Sequence, residues 1–482
     1  MRVFRCLLIM ACVIAPACAG RKPVVPTPVA KQPAAPVVDV EALIRHGCFR
    51  CLERAMAAAQ GEQAFEVAAL LTLRATELGL PYADYRRRAQ ETAPADPEFA
   101  TYLEILDAIP VDPLTGERYL RDSPPPIRAE RNAAGALVRL PSIGDRAAGW
   151  REVLRTGPGS DAFRRYLDIA IGCALVPQSA QSPAGELTPA ERDVPLLRYR
   201  MDLCGRQPQD LRSFRDADAE FVDADFTLGR IALNTPPVDL DEALRWMQSA
   251  RAAFPGSLAI ATSLAQVYEQ REEWAEALST FEAVLAAMPV HREAWLGRTI
   301  ALSQLARHDE AIASATRMIE LGEWLMGEAY YWRAWNQFSI QQYPLARDDT
   351  DKAKARMLNA SVFVLSGLVE WNLLRLPTAE SELEEALKMD FGRCDAARYL
   401  GRVRVQRNKA PEALAAFKQA IQCFDLSIRV REKLIADIQA GKGSEATKAR
   451  LITGHQRAID AAVADRDECQ RNLAALEKLG TQ

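Results

Sequence analysis

The sequence predicts an all-α protein whose second half is a stack of helix pairs. Three observations carry that expectation. An alanine recurs at Ala243, Ala277, Ala311, Ala346, Ala379 and Ala413, at intervals of 34, 34, 35, 33 and 34 residues. Elsewhere apolar residues keep the 3.6-residue spacing of a buried helix face, as in QAFEVAALLTLRATELG (63–79). No stretch shows the alternating pattern bounded by turn residues that a sheet requires.

The chain opens with MRVFRCLLIMACVIAPACAG. Arg2 and Arg5 form a positive start, and Cys6 to Ala15 is an apolar run too short to span a bilayer, so residues 1–18 are expected to be an export leader. Ala15-Pro16-Ala17-Cys18 resembles a bacterial lipobox, which would make Cys18 the lipidated N-terminus. The alternative is cleavage after Ala17-Cys18-Ala19, giving a free secreted chain. Residues 19–39 (RKPVVPTPVAKQPAAPVV within them) are Pro-rich and serve as a semi-rigid spacer behind an anchor. The resulting expectation is a bacterial envelope protein, lipid-anchored at a membrane (an outer membrane foremost) or periplasmic.

Residues 40–108 read as helical hairpins, the simplest account being degenerate repeats. Residues 109–130 form a Pro/Gly-rich loop, and residues 131–220 a helical middle region broken by a Gly-Pro-Gly turn. The array of about six units occupies 221–425. Beyond it, 426–482 reads as two longer helices with polar faces, suited to cap a stack whose outer face must be wet.

Within the array, EEWAEALSTFEAVLAAMP (272–289) places Ala277 four residues before Phe281 and closes on Pro289. A small residue falls at Ala265, Thr299, Ala334, Gly367 and Gly401, and a leading aromatic at Trp295, Tyr330 and Phe363. The later bulky position holds Phe281, Leu383 and Phe417, with Ala315 and Thr350 departing from it. This resembles the tetratricopeptide repeat, W-x2-L-G-x2-Y, then A-x3-F, then P, over about 34 residues. The resemblance implies a right-handed α-solenoid in which first helices line a concave face and bind segments of partner proteins. Carried along the frame, Tyr331, Trp335 and Phe338, then Val364, Leu368 and Trp371, then Arg398 and Arg402 would face that groove. Such a stripe suits a peptide with an apolar anchor and a nearby carboxylate; the alternative is that the C-terminal helices fold back over these aromatics, or that a second copy of the protein covers them.

Chemistry of its own is not expected. The four histidines, His46, His291, His308 and His455, sit in no metalloprotease or haem pattern, and RTGPGSDAF and AGKGSEAT lack phosphate-loop spacing. A net charge of −4 with no long basic block gives no electrostatic case for nucleic acid. The acids Asp216, Asp218, Glu220, Asp223 and Asp225 would make a poor calcium loop, with Phe221 at the turn position and Thr227 where the closing glutamate belongs. Acids at the start of a helix near Asp225 are the simpler account. No cofactor, metal or catalytic residue is expected.

Export would put the cysteines in an oxidising compartment. Without Cys6, Cys12 and Cys18 seven remain, so one thiol is left over, and the short-range candidates are Cys48–Cys51, Cys173–Cys204 and Cys394–Cys423. Cys48-Phe49-Arg50-Cys51 could be a redox pair, a metal half-site or a staple. Haem attachment fails at Leu52, and zinc lacks a second ligand pair in the sequence. Read as a repeat helix, GCFRCLERAMAAA puts Phe49, Leu52, Met56 and Ala59 on the apolar stripe and both cysteines on the polar side. A local disulfide staple is the leading expectation, with thiol-redox or metal-binding activity at Cys48/Cys51 as the alternative function.

Overall fold

Side-chain caps open many of the helices. Asp39 accepts from the Ala42 amide, Asp239 from Asp241 and Glu242, Ser257 from Ile260, and Asn359 from Ser361, each satisfying an amide that the first turn leaves unpaired. The computed structural model describes residues 38–109, 129–131, 137–139, 143–175, 186–205, 208–235, 238–322, 325–441 and 445–480. Among these the protein is all-α apart from one small hairpin, Ala129–Arg131 paired antiparallel with Leu137–Arg139. That hairpin interrupts the region expected to be purely helical from 131. Most of the expected loop over 109–130 lies outside the described residues, as do the leader, Cys18 and nearly all of the Pro-rich spacer.

The array follows the predicted frame. Its pairs are Ala224–Asn234 with Leu240–Ala253, Leu258–Gln270 with Trp274–Ala287, Arg292–Gln304 with His308–Leu321, Met326–Ser339 with Tyr343–Lys354, Ala360–Asn372 with Leu376–Met389, and Cys394–Gln406 with Ala410–Ala440. All six frame alanines, Ala243 to Ala413, are buried to 0% exposure, because at each the two helices leave room for a methyl group only. Successive first helices also touch one another, whereas second helices of neighbouring units stand further apart. The stack therefore curves with the first helices inside, which makes their free faces a concave surface.

Close packing within a unit explains the departures from the pattern. A Cβ added at Gly401 would meet the Phe417 ring at 2.6 Å, and one at Gly367 would meet Leu383 at 2.7 Å. In the third pair the volumes trade places, Thr299 standing in register with Ala315, while in the fourth both members are modest, Ala334 with Thr350; all four are buried. Phe281 is bounded on its other side by Gly297 of the next unit, a contact not anticipated from the sequence. A second recurrent feature is the turn joining the two helices of each pair. Glu272, Ala306, Gln341, Leu374 and Asn408 all adopt positive φ there, between 57° and 63°. Only glycine holds that conformation without steric cost.

The last two helices, Ala410–Ala440 and Glu445–Gly480, are longer than any other helix in the described residues. The expected array boundary at 425 falls inside the first of them, since nothing in the sequence breaks the helix there. The first half closes on itself rather than running on as a simple stack. Val40–His46 packs on Asp161–Leu175 and Pro195–Gly205, and Ser257 Oγ donates to the Leu78 carbonyl at 2.5 Å, tying Gly61–Glu77 to the array.

Two stability measurements test this packing. Gly401→Val should lower stability by about 2 kcal/mol through overpacking against Phe417, read as an earlier urea midpoint. Leu374→Gly, at a site 80% exposed with φ of 60°, should raise it by up to about 1 kcal/mol.

Candidate functional site

The inner face of the last three units brings together most of the residues expected to bind a partner. Trp335 is the most open, 37% exposed, with Tyr331 and Phe338 half-buried beside it on Met326–Ser339. Trp371 donates from Nε1 to Gln406 Oε1 at 2.8 Å, and its ring lies 6.0 Å from Tyr399. Arg402 lies over both rings, 5.9 Å from Trp371 and 5.8 Å from Tyr399, while Arg398 lies 4.6 Å above Tyr399. The result is a ladder of aromatic rings ending in two guanidinium groups. Tyr399 was not foreseen as part of it, although its place one turn from Arg402 on the same helix could have shown it.

Two expectations are corrected. Val364 and Leu368 do not face the groove; they are 5% and 8% exposed and sit in a core with Leu383, Leu400 and Trp371. The first helices approach each other closely enough that aliphatic side chains at groove positions are covered by their neighbours. Arg398 and Arg402 are also not free to receive a partner's carboxylate. Arg402 Nε donates to Glu468 Oε1 at 2.6 Å, and Arg398 pairs with both Asp465 and Glu468. Both acids belong to the terminal helix Glu445–Gly480.

That helix reaches from the last unit of the array to the first two. Its buried Ile459, Ala462 and Cys469 pack with Ala397, Phe417, Phe424 and Ile428. Toward its other end Arg457 pairs with Glu272 at 2.8 Å, Arg450 with Asp241 at 2.5 Å, and Thr447 donates to Asp241. Burial would raise the Asp241 carboxyl, but the donors Thr447, Arg271 and Arg450 outweigh it and bring the group down to about 2. The terminal helices folding back was the alternative that the sequence left open, but the residues that make the attachment could not be named from it, since they lie about 200 residues apart.

The cysteine pairs expected at Cys48–Cys51 and Cys394–Cys423 are formed, with Cα separations of 5.0 and 5.4 Å. Cys173 is disulfide-bonded; the side chain of Cys204, its expected partner, lies outside the described ones. Cys469 is a free thiol and is buried. The expectation that Cys48 and Cys51 face the polar side is overturned. They are 2% and 0% exposed, packed with Tyr199, Phe214 and Phe221. Their helix is covered on this second face by Pro195–Gly205, Pro208–Ala217 and the segment that follows.

That segment carries the acids considered for a calcium loop, and Asp218, Glu220, Asp223 and Asp225 each have their own protein partner. Asp218 pairs with His46, Glu220 with Arg54, Asp223 with Arg74, and Asp225 with Arg215 and Ser249. They point to separate bases instead of a common centre.

A pH titration tests this attachment, by which Glu445–Gly480 acts as a strap from the last unit to the first two. A carboxyl held at about 2 in the folded state contributes stability above the ordinary carboxylate value and loses it as pH falls toward 2. Amide protection of the first turns of Glu445–Gly480 should therefore persist from neutral pH to about pH 4 and fall below it. Asp241→Asn should show the reduced protection already at pH 7, measured by hydrogen exchange.

The tetratricopeptide repeat family model matches residues 262–323 and 364–427, and these segments carry such repeats. No curated protein matches the chain. Solved structures similar to it include MamA from Desulfovibrio magneticus RS-1, at 19% identity over 34% of this chain and 93% of that one, with a TM-score of 0.32. YrrB, a TPR protein with an unusual peptide-binding site, matches at 17% identity over 37% and 91%, with a TM-score of 0.32. A tetratricopeptide repeat protein from Parabacteroides merdae matches at 15% identity over 53% and 93%, with a TM-score of 0.38.

Proposed function

We propose that this chain is a protein-binding scaffold whose concave face receives a segment of a partner protein, and that it is held at a bacterial envelope through Cys18. The observation that carries the binding function is the aromatic–arginine ladder from Trp335 to Arg402, already engaged by carboxylates of the chain's own terminal helix. A surface that accepts Asp465 and Glu468, one helical turn apart, suits an incoming segment with an apolar anchor and acids at the same spacing. The tetratricopeptide repeats add weight, because helix pairs stacked this way present an extended surface and no chemistry. The envelope location rests on the leader and the Pro-rich spacer, and assistance in assembly or secretion is the role that such a position would give a scaffold.

The test is affinity capture of the full-length protein from bacterial membranes. Trp335→Ala/Trp371→Ala should lose one specific partner by about thirtyfold, the loss expected for removing an interface anchor of about 2 kcal/mol. Asp465→Lys/Glu468→Lys should retain more of that partner than the wild type. An unchanged partner list in both variants would sink the groove assignment. Cys18→Ser should move the protein from the membrane fraction to the soluble one.

A further inference from the structure

We propose that His46, Cys48, Cys51 and Glu220 form a redox-gated zinc site, open to the ion only when the Cys48–Cys51 disulfide is reduced. The sequence offered one ligand pair; the fold supplies the rest. His46 Nδ1 lies 3.1 Å from Cys51 Sγ, and the donor atoms of His46, Cys48 and Cys51 all lie within 4.8 Å of one another. Glu220 Oε2, from a segment 169 residues further on, lies 3.8 Å from Cys51 Sγ. Ligands of a tetrahedral zinc are separated by about 3.3–3.8 Å, given bonds of about 2.3 Å to sulfur and 2.0 Å to nitrogen. Cys51 Sγ therefore already stands at about ligand spacing from the imidazole and the carboxylate, and reduction frees Cys48 Sγ to part from it, from bonding distance to the spacing that a bound ion requires.

His46 and Glu220 each have an ion-pair partner outside the disulfide, and both nevertheless lie against its sulfur. His46 turns one ring nitrogen to the sulfur and holds Asp218 Oδ2 at 3.0 Å with the other. That is how a metal-bound imidazole is oriented: the outer carboxylate fixes the tautomer that leaves Nδ1 with its lone pair. Glu220 is paired with Arg54 at 3.2 Å, and both side chains are more than half exposed, so exchanging arginine for a cation costs little. The two sulfurs are enclosed by Tyr199, Phe214 and Phe221. Arg54 Nη2 lies 3.4 Å from Cys51 Sγ, so one guanidinium faces the pair, and two buried thiolates beside the Glu220 carboxylate carry more negative charge than it offsets.

The chemistry balances in two steps. An external dithiol delivers two electrons and two protons to the Cys48–Cys51 bond and is itself oxidised to a disulfide. Zinc(II) then displaces both thiol protons to solvent and takes Cys48 Sγ, Cys51 Sγ, His46 Nδ1 and Glu220 as ligands. In the reverse direction an external disulfide takes the two electrons from the thiolates and two protons from solvent, leaves as a dithiol, and the re-formed Cys48–Cys51 bond releases the ion. This site is independent of the groove, so either can fail without the other.

The test reduces the full-length chain with a phosphine under nitrogen, adds zinc(II), desalts, and measures bound metal by mass spectrometry. The reduced wild type should retain one equivalent that the oxidised protein lacks. Cys48→Ser/Cys51→Ser, treated identically, should retain none, and this variant controls for the other thiols released by reduction. His46→Ala should weaken retention by at least about tenfold, and Asp218→Asn, which keeps every ligand, by about tenfold. Zinc should also raise the melting temperature of the reduced wild type and leave that of the double variant unchanged. Retention by the reduced wild type no greater than by the double variant, or equal binding by the oxidised protein, overturns the proposal.

Discussion

A guanidinium with no exposure to solvent holds the first half of this protein together. Arg74 donates to Asp223 at 2.5 Å and to Glu77, and lies 4.1 Å over the Tyr199 ring. Asp223 also accepts the Phe49 amide at 2.8 Å, and Glu77 accepts from Tyr166 at 2.7 Å and pairs with Arg200. Burial would raise the Glu77 carboxyl, but Arg200 and Arg74 bring it below the usual carboxylate range. Charges buried this deeply are tolerated only when paired and hydrogen-bonded, and removing one partner of such a set costs about 3–5 kcal/mol. The network joins five segments far apart in sequence. It also sets the start of the array at Ala224 and places Asp218 and Glu220 beside His46 and Cys51.

The second half depends on a different constraint, one of volume. Each pair of helices can approach only if one small residue faces one large one, and the protein meets this in more than one way. Gly401 against Phe417 is the plain solution; Thr299 with Ala315 reverses it. Because the sum matters more than either member, a departure at one position is answered sixteen residues away, and the period survives. The turn between the helices is held more strictly than its composition suggests: glutamate, alanine, glutamine, leucine and asparagine all take the left-handed conformation there.

This contrast explains what was legible in the sequence. The array could be read because its contacts are local: each frame alanine finds its partner within the same unit or the next, so spacing alone implies the fold. The Cys394–Cys423 pair was readable for the same reason, since one residue starts a helix and the other lies on the helix that follows it. The first half was not, since Arg74 meets Asp223 across 149 residues and no periodicity encodes such a contact. The groove was half legible. The frame put Trp335, Trp371, Arg398 and Arg402 on one face of the first helices, and the last three meet in one cluster with Tyr399. It could not foretell that neighbouring helices would cover Val364 and Leu368, and although it left open that the terminal helices fold back, it could not name Asp465 and Glu468 as the residues that reach the arginines. The burial of Cys48 and Cys51 was missed because the residues covering them, Tyr199, Phe214 and Phe221, lie far downstream in a stretch with weak periodicity.

The strap changes what binding at the groove must mean. Glu445–Gly480 is covalently attached, so its carboxylates face Arg398 and Arg402 at an effective concentration set by the chain and not by solution, of the millimolar order typical of short tethers. An outside segment that offered only the same two charges would compete poorly against it. On the proposed reading a partner would have to add something that the strap does not supply, and the exposed ring of Trp335 with the half-buried Tyr331 and Phe338 is the apolar surface that would remain for it. The two ends of the ladder therefore have different tasks. In the proposed binding mode the aromatic end would offer new contact area, and the arginine end would be released only when that gain exceeds the cost of displacing Asp465 and Glu468. Charge alone would make the scaffold indiscriminate toward acidic peptides, whereas requiring both the anchor and the displacement confines it to segments that carry both.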